Sequence, residues 1–380
     1  MKMAAQQSYR HHYVPQWYQR RFLAPNATAF KVLDLRPEIF RDKSGRIRGH
    51  ARPILDKGPD AWFFESELYT IRAFGEPNDD IEKMLFGVID DVGKSAVEAF
   101  LEEDWDVVHS TFPYFFEFMD AQRLRTPKGL AFLARVTPVK TQLELMTMMQ
   151  RLRRMHCVMW AEASLEIFSA DNSEAKFIFS DHPVTFFNRF VFPKDSRVPS
   201  GQDPLQQWMG TQTIYPLSRN KLMVITHREW ARKQGPNRAI KTRTNARLFD
   251  NPLVRYDSCK RDRQLTDLQV REVNYIVKTR ADRYIAGDKV DDLYPEKYLK
   301  NTIWSKLGLF LLPEPSHVAM EGGNMTVRMS DGRYVFQDEY GRRPTTKEEY
   351  ESKVKEAKLM EANFNRIIAA HFEKEGRKND

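Results

Sequence analysis

The sequence predicts an α+β fold in which a helix-rich N-terminal half packs on a mainly antiparallel sheet from the second half, with a hairpin and a helix appended at the C-terminus. Three observations predict it. Long runs of helical apolar spacing fall before residue 175, short strand-like runs cluster after it, and a turn at Asp331-Gly332 followed by a capping box at Thr346 marks a separate end. The pattern divides into one α+β domain over residues 8–310 and an appendage over 311–380. With 380 residues, 41% of them hydrophobic and 12% aromatic, the chain can bury a large core, which excludes a disordered protein.

The first element is built on Pro15. Its missing N–H suits the start of a helix, and Pro25 with Asn26 ends the segment, so Pro15 to Phe22 reads as a short helix. Gln16 and Arg20 share one face and Tyr18 and Phe22 another, giving a wet side and a packed side. Phe30 to Leu35 is strand-like, and Arg36 to Gly58 reads as loop around a turn at Asp42-Lys43-Ser44-Gly45. From Asp79 to Leu101 apolar residues keep the helical period for about six turns. Inside that stretch, Gly87 to Ser95 imitates a phosphate-binding loop. It has one residue too many between its glycines, sets Asp90 and Asp91 against phosphate, and leaves the apolar period unbroken, so it reads as helix.

Pro113 to Leu124 reads as a further helix ending at Arg125-Thr126-Pro127, and Thr137-Pro138 as the start of a longer one reaching about Phe168, with its methionines as adaptable core. Lys176 to Phe179 is then a strand that delivers Ser180-Asp181-His182 at its end, before Pro183 interrupts and Val184 to Phe187 resumes. Pro193 to Gly210 is a polar loop, either a lid or an insertion. Thr213 to Tyr215 and Leu222 to Ile225 form an antiparallel pair. Residues 228 to 247 are the densest basic stretch, with Glu229 as the single acid, and either track a nucleic-acid backbone or make a solvated face. Thr266 to Ala286 reads as helix, Asn324 to Gln337 as a hairpin, and Thr346 opens the terminal helix.

The most chemically loaded stretch is Arg10 to Phe22, with two histidines, three arginines and four aromatics around Pro15. Imidazoles and arginines beside a helix start suit phosphate or carboxylate, while a hydrogen-bonded lid over the core uses the same residues. Here the chain resembles a known family. His12-Tyr13-Val14-Pro15-Gln16, the aromatic pair Trp17-Tyr18, and Arg21-Phe22 are similar to the opening of a bacterial family of unknown function, whose members begin close to H-x-V-P-Q-x-Y-L-R-x-F. The resemblance continues in Glu67-Leu68-Tyr69, Arg123 to Pro127, Ser180 to Val184 and Tyr215 to Ser218, and spans about residues 10–290. Gln19 stands where the pattern has leucine, and His182 where it usually has asparagine. The resemblance implies a domain extent and positions to watch, and no chemistry.

No HExxH, paired CxxC, calcium loop or glycine-rich dinucleotide fingerprint is present. A divalent ion such as Mg²⁺ or Mn²⁺ would accept His12, Glu67 and Asp181 as ligands and lower the pKa of a bound water. Without an ion, His11 or His12 would act as general base and Arg20 or Arg123 would steady charge on phosphate. The expected catalytic residues are therefore His11, His12 and Asp181, with Gln16, Arg20 and Arg123 as substrate clamps; His11 or His12, Gln16 and Asp181 are expected to share one pocket. Two functions follow: a hydrolase of phosphodiester bonds in nucleic acid, or a binding or sensing protein that holds nucleic acid or an anionic small molecule and breaks no bond. The net charge of +8 tolerates polyanionic partners without demanding them. Cys157 and Cys259 are unclustered, which points to a reducing cytoplasm. Met1 to Tyr9 lacks a signal-peptide core and Leu307 to Leu312 is too short to span a bilayer, so no membrane partner is expected.

Overall fold

The computed structural model describes residues 10–66, 68–73, 76–78, 86–138, 141–152, 154, 156–161, 163–198, 202–244, 260–314, 316, 318, 324–339 and 341–376. The chain opens with strand Arg10–His12 (β1) and one helical turn, Gln16–Arg20 (α1). Short strands follow at Phe30–Asp34 (β2), Ile39–Arg41 (β3), Ile47–His50 (β4), Ile54–Lys57 (β5), Phe64–Ser66 (β6), Ile71–Ala73 (β7) and Glu76–Asn78 (β8). Helices come next at Gly87–Glu102 (α2), Trp105–Leu124 (α3), Pro127–Val136 (α4), Gln142–Leu152 (α5) and Cys157–Ala161 (α6). The second half carries Ala163–Ser169 (β9), Phe179–Ser180 (β10), Thr185–Phe187 (β11), Gln212–Pro216 (β12), Lys221–His227 (β13), Arg228–Arg232 (α7), Lys260–Gln264 (β14), Asp267–Arg280 (α8) and Tyr284–Gly287 (β15). Hairpin strands Met325–Arg328 (β16) and Tyr334–Gln337 (β17) and helix Lys347–Gly376 (α9) complete the order.

The fold is α+β with mostly antiparallel sheets. A five-stranded sheet runs β11-β12-β13-β9-β14, antiparallel except for the β9–β14 pair. A four-stranded antiparallel sheet runs β10-β15-β2-β5, so strands from the first half share a sheet with strands from the second. Alternation sorts the side chains of the larger sheet. Leu165 and Ile167 of β9, Tyr215 of β12 and Met223 and Ile225 of β13 enter a core shared with α2, α3 and α6. Phe168, Ile214, Leu222 and Val224 enter a second core with α8 and the four-stranded sheet.

Several elements depart from the sequence expectation, each for a physical reason. The long helix expected from Thr137 to Phe168 is two shorter helices and then β9, a central strand buried on both faces whose apolar run imitates a helix. The helix expected from Pro113 starts at Trp105, because Asp104 caps the Val107 N–H at 3.1 Å, and Pro113 lies inside it. The helix after Thr266 ends at Arg280, a turn follows over 281–283, and β15 takes the rest. The expected loop over 36–58 holds the β3–β4 hairpin and β5. The imitation phosphate loop is continuous helix in α2, where Gly93 lies so close to Phe118 that a Cβ would meet its ring at 2.3 Å. The first part of the helix expected from Asp79, residues 79–85, lies outside the described residues.

Candidate functional site

The N-terminal motif divides its residues between structure and surface. His11 is fully buried in β1, takes the Tyr69 N–H on Nδ1 at 3.0 Å and stacks on the Tyr69 ring. His12 is half-buried and forms a row with the wet face of α1. The Gln16 carbonyl accepts from Arg20 at 3.0 Å, which leaves the Gln16 amide to donate to His12 Nε2 at 3.1 Å and makes that nitrogen an acceptor. Burial lowers the His12 pKa, with the Trp62 backbone working against it. Tyr18 and Phe22 are buried on the other face, as their spacing predicts.

The segments that carry the resemblance are bonded to one another. Gln122 donates to the Tyr13 carbonyl at 2.8 Å, the Tyr69 hydroxyl to the Arg125 carbonyl at 2.8 Å, and the Tyr18 hydroxyl to the Pro216 carbonyl at 2.6 Å. Tyr18 also stacks on Tyr215, and the Arg219 N–H donates to the Arg21 carbonyl. Gln19, where the resemblance implies leucine, is fully buried and donates to the Val14 carbonyl at 2.8 Å. Much of the pattern is therefore the seam where α1, α3 and the large sheet meet.

Asp181 is committed to structure as well. Its carboxylate accepts three backbone N–H groups, from Asp282, Arg283 and Tyr284, at 2.9, 2.6 and 2.8 Å, and so fixes the turn between α8 and β15. Burial raises its pKa to about 6, against the pull of those three N–H groups. With both oxygens committed, Asp181 is poorly suited to hold an ion. Glu67, the third expected ligand, lies outside the described residues, and among the described residues no group of three His, Cys, Asp or Glu side chains could hold a metal. The His12, Glu67 and Asp181 set thus finds no support as a divalent-ion site.

What the Ser180-Asp181-His182-Pro183 segment brings to a chemical site is His182. Pro183 lies where the chain leaves the smaller sheet, with β10, and enters the larger one, with β11. At this crossing the His182 ring meets the end of α3. Thr126 caps α4 by accepting the Gly129 N–H at 3.1 Å, and its hydroxyl donates to the Arg123 carbonyl at 3.2 Å. It can therefore only accept from His182 Nδ1, 2.6 Å away, which leaves His182 Nε2 to accept from Arg123 at 2.8 Å. Burial and the Arg123 charge push the His182 pKa down to about 3, so the ring is neutral. Arg123 Nη1 also lies 2.8 Å from the Val184 carbonyl and 2.8 Å from Asp203, whose other oxygen takes Lys128 at 2.7 Å. Burial pushes Asp203 up, but Lys128 and Arg123 overcome it and hold the carboxyl well below its usual range.

The Arg123 guanidinium lies 3.6 Å from the Phe186 ring centre, at the edge of a cavity of about 110 Å³. His156, edge-on to the same ring, also lines it, together with Phe132, Asp203 and Gln206 among others. His156 Nδ1 is hydrogen-bonded to Asp120, which is fully buried on α3 one turn before Arg123. All three bonds of Arg123 start from Nη1, and within the described residues none engages Nη2 or Nε. Gln206 Oε1 is likewise buried without a partner among the described residues.

Of the expected site residues, the structure joins His12, Gln16 and Arg20 in one row and sets Arg123 in a separate cavity. Neither that cavity nor the C-terminal groove described below is lined by His11, His12, Gln16 or Asp181. His156, Asp120 and Gln206 went unflagged in the sequence, because no motif spacing links 120, 156 and 206. The one available signal is that Asp120 precedes Arg123 by three residues on a helix and so shares its face. The expected lid is clamped, with Met209, Gly210 and Arg243 in backbone bonds that tie residues 207–210 to 239–243, and Asp203 in two ion pairs. The basic stretch is only partly a solvated face: Arg228 and Arg243 are buried, Arg232 pairs with Glu339, and Arg247 lies outside the described residues.

Among the described residues no helix is long and apolar enough to cross a membrane. No curated protein and no solved structure matches the chain. Residues 10–291, which contain every element of the seam and the cavity, match the DUF4238 family, described as proteins of unknown function, and the chain belongs to that family.

Proposed function

We propose that the chain recognises an anionic group of phosphate type in the Arg123–His156 cavity, presented by a nucleic-acid end, a nucleotide or another small molecule. The observation that carries this reading is Arg123, anchored through Nη1 and stacked on Phe186, with its Nε–Nη2 edge unengaged among the described residues. A guanidinium held still with one edge unused is pre-organised for two-pronged contact with phosphate or carboxylate. The cavity, at about 110 Å³, is far below the roughly 300 Å³ of a drug-sized site, so it suits the anionic group and leaves the rest of the ligand outside.

A specific observation favours hydrolysis of a phosphodiester bond as a second reading. His156 is oriented by a buried carboxylate through Nδ1, the arrangement that lets Nε2 take a proton from water while a nearby guanidinium steadies the developing charge. This keeps the reaction expected from the sequence and moves it to Asp120, His156 and Arg123. A reducing cytoplasm, with Cys157 as a buried thiol, belongs to the same proposal.

Thermal melting in inorganic phosphate tests the first reading. The wild type is expected to melt higher with phosphate, and Arg123→Gln to lose the shift. Phe132→Trp, which fills the cavity and leaves the Arg123 bonds in place, should lose it too. Cleavage of bis-p-nitrophenyl phosphate and of a single-stranded oligonucleotide, with and without Mg²⁺ or Mn²⁺, tests the second. His156→Gln should reduce turnover by about 10²–10⁴-fold while phosphate still raises the melting point. A wild type blind to phosphate would sink both readings, and a phosphate shift without turnover would leave the first alone.

A further inference from the structure

The C-terminal helix is covered along only part of its length. Tyr350, Val354 and Ala357 of α9 pack on Tyr334 and Phe336 of β17 in a small satellite core. Beyond Glu361 that cover stops, and every residue from 362 to 369 is exposed. From residue 359 on, five large apolar side chains stand in water: Leu359, Met360, Phe364 and Ile367 are 63–70% exposed and Ile368 37%. An isolated helical segment of this length is marginal in water, and its stability must come from packing of an apolar face.

The hairpin has a bare face of its own. Register sets Thr326 opposite Phe336 and Arg328 opposite Tyr334, so these four share the side turned to α9. Alternation puts Met325, Val327 and Met329 on the other side, where they are 41–44% exposed. A groove of about 560 Å³ lies between hairpin and helix, with Phe336 and Met360 in its wall.

We propose that the distal half of α9 from one copy of the chain seats on the outer face of the β16–β17 hairpin of a second copy, making a two-fold dimer. Two observations select a second copy over an unrelated partner. First, one module carries both halves of the contact, an apolar helix ridge and an apolar strand face, so a two-fold axis satisfies both at once with the same pair of contacts. Second, the area fits. Eight side chains of this size and exposure offer on the order of 100 Å² each, about 800 Å² per copy, which is what one partner gives to a standard interface.

Sedimentation velocity on the full chain is expected to give the mass of two chains, and Phe364→Glu with Ile367→Glu that of one. Met325→Lys with Val327→Lys should also give one, since it removes the other half of the contact. Circular dichroism and the melting of the body should stay near wild type in both, which separates lost association from lost folding. The arrangement is checked by mixing a Phe364→Cys chain with a Val327→Cys chain in a background of Cys157→Ala and Cys259→Ser. Oxidation should give a mixed disulfide, and the Phe364→Cys chain alone should give none between copies. A monomeric wild type, a dimer indifferent to both charge pairs, or crosslinks only between two Phe364→Cys helices would each overturn the proposal.

Discussion

At position 182 stands a histidine where the resemblance read from the sequence implies asparagine, and the hydrogen bonds explain how both can serve. The ring donates through Nδ1 to Thr126 and accepts through Nε2 from Arg123, and an asparagine amide also offers an N–H donor on one side and an acceptor oxygen on the other. The two differ in what acid does to them. The folded pKa of His182, about 3, lies below its ordinary 6.5, so the unfolded chain binds more protons between these values. Its contribution to stability is complete above about pH 6.5 and is lost as pH falls towards 3. His182→Asn is therefore expected to fold and to lose less stability than wild type between neutral pH and about pH 4, by up to a few kcal/mol. Urea midpoints at several pH values check it; equal slopes for both proteins would mean that His182 is not held neutral by this site.

The elements legible in the sequence and those missed differ in kind. Helices α1, α2 and α8, strands β2, β12 and β13 and the C-terminal hairpin announce themselves through proline, capping residues, turn residues or a clear period. Strand β9 does not, since a central strand feeding two cores loses the alternation that marks a half-buried one. The site suffers from the same blindness. Arg123 was legible from its segment, but His156 and Asp120 meet only because α6 folds back against α3, a contact without local signature. The α3–α4 corner that aims Arg123 depends on Gly129, where an added Cβ would stand 2.1 Å from the Arg123 carbonyl oxygen and 2.6 Å from that of Leu124. Both neighbours are backbone and cannot swing away. Gly129→Ala is expected to cost about 1–3 kcal/mol in a denaturant melt and to weaken the phosphate shift as well. Gly49→Ala, with nothing within 4 Å of the new methyl, should leave both unchanged.

For the molecule as a whole, the question is how far the C-terminal module matters to the cavity. Glu339, just after β17, pairs with Arg232 and faces Arg228 at 3.6 Å, so the hairpin is tied to α7 by charge. Its apolar cover, in contrast, comes from α9. A two-stranded hairpin without such cover is marginal in water, so deletion after Arg343 should release it locally while the two large cores stay intact. The expected result is rapid proteolysis within residues 324–339, a mass of one chain, and a body that melts near the full-length value. Phosphate should still raise that melting point, because Arg123 and Asp120 lie on α3 and His156 immediately before α6, and no residue after 311 lines their cavity. Limited proteolysis, sedimentation and melting with and without phosphate decide it together. If the truncated chain kept its melting point and lost the phosphate shift, the module would reach the cavity by a route other than packing, and the site would have to be redrawn to include it.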